Sequence, residues 1–156
     1  MAGITARRVV VALDCPDARE LAEFYAAMLG WRIRDDAEYS DWVDVVPPEG
    51  EPGAVALACQ TVPDFRAPTW PGGPVPTQVH LDFYVDSIAV SEPAVLAAGA
   101  RRHDHQPSPD GRFVVYLDPV GHPFCLCMEE WSRAAEGRPG ARGLVQHVRA
   151  SEVERC

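Results

Sequence analysis

Two stretches of this chain run through the same order of elements: strand, helix, strand, strand, strand. In the first, "RRVVVALDC" reads as a strand and "DARELAEFYAAMLGW" as a helix, and "WRIRDD", "DWVDVV" and "AVALACQTV" follow as strands. Asp17 stands where a capping side chain is wanted, with Glu20 three residues on. Leu21, Phe24, Tyr25, Met28 and Leu29 recur at the spacing of one buried helix face, and Gly30 closes it. In the second stretch "QVHLDFYVD" is a strand and "SIAVSEPAVLAAG" a helix ending at Gly99, with "ARRHDH", "RFVVYL" and "PFCLCM" as strands. Pro93 lacks an N–H and fits the first turn of a helix, so the regular helix is expected to begin near Ser91 after an irregular stretch at 87–90. The turns "PPEG" and "DPVG" occupy matching places. A period this long marks a duplicated βαβββ module rather than a short-repeat solenoid.

This plan predicts an α+β fold of two tandem βαβββ modules. Module one covers 7–62, a linker 63–77 and module two 78–131, giving one domain over 1–131 and a C-terminal tail over 132–156. The linker, "PDFRAPTWPGGPVPTQ", is stiffened by proline. Trp70 within it either pins the linker to the body or lines a binding site. In the tail, Gly137, Pro139, Gly140 and Gly143 interrupt any regular element, and "LVQHVRASEV" fits a short helix or a strand. The tail is expected to be mobile or to pack on a partner subunit.

A chain of 156 residues is long enough to bury a real core as one domain, and 47% hydrophobic with 24% charged residues is ordinary for a globular protein. No apolar run is long enough to span a bilayer. The apolar run of "MAGITARRVVVALD" stops at Asp14, too soon for a signal peptide, so the expected compartment is the cytoplasm. A formal net charge of −9 and a pI near 4.9 set the surface against phosphate backbones and anionic membranes, excluding nucleic acid and membrane as expected partners. The five cysteines are odd in number and irregularly spaced, which predicts reduced thiols rather than a disulfide framework.

The paired modules, with "CPDARELAEFYAAMLGW" in the first and "VHLDFYVD" and "DPVGHPFCLC" in the second, resemble the vicinal oxygen chelate superfamily, the glyoxalase, bleomycin-resistance and extradiol-dioxygenase group. The likeness runs from about Arg7 to Trp131 and is greatest to its glyoxalase-like branch. It implies that the two modules form a curved mixed sheet around a cleft, a cup built from both, and further a homodimer and in the enzymes a divalent metal held by His, Gln or Glu at four strand positions. Carried over, one position falls on His80 and its counterpart in module one on Val10. Where the family has Glu in "GNPFEL", this chain has "GHPFCL", which puts Cys125 there. The fourth falls on Ala56 or Ala58, with Gln60 further along the same face.

His80 is thus the one clear ligand type, and His80, Gln60 and Cys125 make a poor set for a hard divalent ion. Strand alternation puts His80, Asp82 and Tyr84 on one face, suited to positioning or deprotonating a small polar ligand. Trp42, which corresponds to Phe113, is a candidate wall of the cup. Cys125 becomes a nucleophile only in an electropositive setting, which His80 would supply if the two met. "RRHDHQ", holding His103 and His105, reads as a solvated face rather than a metal site, and His122 as a turn residue. The substrate-binding candidates are therefore His80, Asp82, Tyr84, Gln60, Trp42 and Cys125, with His80 the sole metal candidate and no cofactor expected. The expected function is binding of a small organic molecule in the sheet cleft around a degenerate metal site, by sequestration or metal-free catalysis. The alternative is a divalent-metal-dependent lyase, isomerase or dioxygenase.

Overall fold

The computed structural model describes residues 8–35, 40–49 and 55–129. The tail over 132–156 lies outside them. In module one, β1 (Val10–Cys15) leads into α1 (Ala18–Leu29), followed by β2 (Arg32–Asp35), β3 (Trp42–Val46) and β4 (Ala56–Thr61). Module two repeats this with β5 (Leu81–Val85), α2 (Ile88–Ala98), β6 (Arg101–Arg102), β7 (Phe113–Leu117) and β8 (Pro123–Met128). Each module forms a four-stranded sheet, in the order β1-β4-β3-β2 and β5-β8-β7-β6. β1 pairs parallel to β4 and β5 parallel to β8, while the remaining pairs are antiparallel. Parallel neighbours need a long crossover, and in each module the helix begins it.

Local chemistry explains α1. The Asp17 carboxylate accepts from the Arg19 and Glu20 amides at 2.9 and 3.0 Å, and Gly30 ends the helix at φ 66°, a left-handed value that favours glycine. Thr61 Oγ1 at the end of β4 accepts from the Ala18 amide at 2.9 Å, tying the helix start to the sheet. α2 is built differently. It starts at Ile88 rather than near Ser91, Ser87 makes no side-chain cap bond, and Pro93 stands inside the helix. The missing Pro93 N–H frees the Ala89 carbonyl; both residues are exposed, so water takes the place of the lost partner. The expected strand over "ARRHDH" shrinks to Arg101–Arg102, and "QVHLDFYVD" is strand only from Leu81.

One apolar core joins the modules. Leu13 and Cys15 of β1, Val43 and Val45 of β3, and Leu57 and Cys59 of β4 turn toward α1, as the period of two requires. Phe124 of β8 is fully buried, stacks on Tyr116 with centroids 5.5 Å apart, meets Phe83 edge-on at 5.8 Å and reaches Phe24 of α1 at 6.2 Å. The alternate residues of each strand face away from the helices. This open face carries the candidate site residues.

The linker is strapped down. Thr69 donates its amide to the Val75 carbonyl at 2.7 Å and receives the Val75 amide on its hydroxyl. Trp70 packs edge-on against His103 at 4.9 Å and tilts over His105 at 5.4 Å, which is the pinning role. His103 is therefore half-buried under the indole rather than part of a solvated face, although Arg101, Arg102, Asp104 and His105 are exposed. No described helix is long and apolar enough to cross a membrane.

Candidate functional site

On the open face of module one, Trp42 and Gln60 are register partners across β3 and β4. Both are half-buried, and Asp44 beside them is buried. The Trp42 indole N–H donates to Asp44 Oδ1 at 2.8 Å, Arg34 bonds Asp44 Oδ2, and Arg8 lies 3.6 Å from the same oxygen. Burial opposes the Asp44 charge, but the Arg34 and Trp42 hydrogen bonds and the two arginine charges outweigh it and hold its carboxyl below the usual range. This polar cluster is closed on itself. At the family's metal positions in this module stand Val10 and Ala56 or Ala58, partners across β1 and β4.

The open face of module two is different. Asp82 and Tyr84 project from β5, and His80 sits just ahead of the strand with Nε2 3.7 Å from Asp82 Oδ2. His80, Asp82 and Tyr84 are all exposed. No described residue takes a hydrogen bond from, or gives one to, the Tyr84 hydroxyl; burial, with Cys127 and Asp82 nearby, raises its pKa. Across the sheet, Cys125 is the register partner of Asp82 and Cys127 that of Tyr84. The Cys125 thiol is pushed far up by its hydrogen bond with Cys127, by burial and by the Asp82 carboxylate. His80 thus meets Asp82, while the thiol meets the carboxylate. A negative neighbour disfavours thiolate, so this setting is the opposite of the electropositive one a nucleophilic Cys125 needs.

The four described cysteines are free thiols. Cys15 and Cys59 are core residues, and burial raises them to about 11 and about 12. Among the described residues no three His, Cys, Asp or Glu side chains are gathered so as to hold a metal ion. The donors at the family positions do not fit its metal: Val and Ala offer no ligand, and His80 faces a single carboxylate.

The turn of "DPVGH" holds what sequence reasoning missed. Asp118 is fully buried. Its Oδ1 accepts from the amides of Val120, Gly121 and His122 at 2.8–3.0 Å. Its Oδ2 accepts from the Tyr25 hydroxyl at 3.0 Å and from His122 Nδ1 at 2.7 Å. Burial, then the Asp118 charge, drives the Tyr25 phenol well above its usual pKa, so it remains a donor. An Asp opening a Gly-containing turn signals the three amide bonds. Tyr25 lies 93 residues away and leaves no local signal. Gly121, at φ 104°, is required twice over: a Cβ there would also stand 2.9 Å from the Ala67 Cβ of the linker.

Comparison with known proteins agrees with this architecture. A glyoxalase-like domain family model matches residues 10–127. No curated protein matches the chain. Among solved structures, a glyoxalase/bleomycin resistance protein/dioxygenase family enzyme from Burkholderia phytofirmans aligns at TM-score 0.56 and 15% identity, over 76% of this chain and 95% of that one. The fosfomycin resistance protein FosX from Mesorhizobium loti aligns at 0.57 and 13%, over 85% and 98%. A glyoxalase-related enzyme from Fulvimarina pelagi aligns at 0.56 and 17%, over 81% and 90%. These identities speak to the fold alone. The chain belongs to the glyoxalase-like domain family, within the vicinal oxygen chelate superfamily.

Proposed function

We propose that this protein binds a small organic molecule on the open face of module two, through side chains rather than through a metal. The observation that carries this reading is the contrast in polar pairing: Asp44 in module one is satisfied internally, whereas the Tyr84 hydroxyl has no described partner and stands exposed beside Asp82 and His80. Tyr84 offers a donor and an acceptor, Asp82 an acceptor, and His80 a ring nitrogen, over a floor of Cys125 and Cys127. Convergent polar groups over a weakly polar floor suit an organic ligand. Gln60 and Trp42 belong to the other open face and enter only if a second subunit brings it across. The homodimer that the family resemblance implies is part of this proposal; a monomeric mass by light scattering overturns it.

The relatives named for fosfomycin and bleomycin resistance support small-molecule handling as the class. The test is elemental analysis of protein purified without chelator, before and after incubation with manganese, iron, nickel or zinc. Less than stoichiometric metal is expected in both the wild type and His80→Ala. A stoichiometric ion that His80→Ala loses overturns the proposal and restores the metal-dependent lyase, isomerase or dioxygenase. A thermal-shift screen then finds the ligand, since a molecule bound only by the native state raises Tm. The rise is expected to shrink in Tyr84→Phe and Asp82→Asn.

A further inference from the structure

A second cleft, of about 390 Å³, lies between β1, the linker and the turn before β8. Its walls include Phe65 and Val79, its charged rim is Asp14, Asp64 and Arg66, and His122 lines it. It contains none of the side chains on the open face of module two.

His122 is prepared in an unusual way. Its side chain is 13% exposed, and its Nδ1–H donates to an Asp118 carboxylate that the Tyr25 hydroxyl and three backbone amides already hold. Phe65 tilts against the ring at 5.4 Å. A buried carboxylate fixed from four directions fixes the imidazole in turn, both its plane and its tautomer. The proton on Nδ1 leaves Nε2 with a lone pair in the neutral ring. Among the described residues Nε2 has no hydrogen-bond partner, and the sole buried side-chain N or O atom lacking one is Thr77 Oγ1. Nε2 is therefore accessible, on a ring that lines the cleft. A purely structural turn residue needs only the Nδ1 contact; His122 in addition lines a cleft.

The chemistry of the cleft selects its ligand. The fixed acceptor is Nε2, and two carboxylates, Asp14 and Asp64, face one cation, Arg66. Hydrogen-bond acceptors in excess and a negative balance favour a donor-bearing cation, while Phe65 and Val79 favour an apolar body. We propose that the cleft is a ligand site for a small organic amine, in which His122 Nε2, oriented by Asp118, accepts a hydrogen bond from the ammonium group.

Benzylamine and benzoate, equal in size and opposite in charge, are the probes, titrated into the full chain and followed by ¹⁵N–¹H NMR. Saturable benzylamine shifts are expected at Asp14, Phe65 and His122, with benzoate at least fivefold weaker. His122→Asn keeps an N–H for Asp118 but removes Nε2, and is expected to weaken benzylamine at least fivefold. The exposed Asp64→Asn, which leaves the turn intact, should weaken it at least threefold. If His122→Asn fails to fold, Asp64→Asn decides, together with the His122 ring tautomer read from long-range ¹⁵N–¹H correlations. Absent or equal benzylamine and benzoate binding, unchanged affinity in the folded variants, or a proton on Nε2 in the neutral ring overturns the proposal.

Discussion

The two modules share a plan and divide the labour. In module one, α1 is capped at both ends and buries Ala18, Leu21, Ala22, Phe24 and Tyr25, and the buried Asp44 of the open face is held by Trp42 and Arg34. In module two, α2 lacks a side-chain cap, carries Pro93 inside and buries Ile88 and Val95, while the open face leaves Tyr84 unpaired. Fully burying a leucine such as Leu21 contributes about 1.5–3 kcal/mol, far more than a half-exposed Leu96 on α2 can supply.

Four substitutions press on this division. The largest effect is expected where the modules meet. Asp118→Ala strips an acceptor from Tyr25, His122 and three amides at once, and breaking a buried charged partnership of this kind costs about 3–5 kcal/mol. Urea unfolding should show it, and a loss under 1 kcal/mol would mean that the turn is not the joint between the modules. Next come the helix starts. Asp17→Ala should cost about 1 kcal/mol, the usual value of an N-cap side chain, and Ser87→Ala close to nothing. Equal losses in thermal melts would erase the distinction between α1 and α2.

The smallest effect tests the Asp44 cluster by pH. Its folded-state pKa is lowered, so its contribution to stability is present above the unfolded carboxylate pKa of about 3.9 and is lost as pH falls through the folded value. Asp44→Asn should therefore lower stability at neutral pH and flatten the acid limb below about pH 4. With both arginines half-exposed, the change is expected to be at most about 1 kcal/mol. An acid limb as steep as the wild type's would show that Asp44 carries no net stabilisation.

Much of the fold was legible because its signals are local. Asp17, Gly30 and Gly99 mark helix ends by their own backbone and capping chemistry, and period-two alternation put Asp82 and Tyr84 on one face of β5, as the alternating burial of that strand shows. Pro93 misled because the rule that bars proline from a helix assumes that the orphaned carbonyl goes unserved, and at an exposed turn water serves it. The strand expected through His103 stops at Arg102, and His103 packs instead beneath the Trp70 ring.

The sequence by itself determined the duplicated βαβββ plan, the chain's place in the glyoxalase-like family, and the residue types, Val10 and Cys125, that stand where the resemblance puts ligands, since each is written in neighbouring residues or in identity at a single position. Tertiary structure alone decided which groups meet. Parallel pairing of β5 with β8 sets Asp82 against Cys125, a neighbour that disfavours the thiolate. Packing of α1 against module two carries the Tyr25 hydroxyl to Asp118 and so fixes His122 at the edge of a cleft. Such contacts depend on strand register and on the docking of distant elements, and a burial pattern with a period of two or 3.6 residues constrains neither.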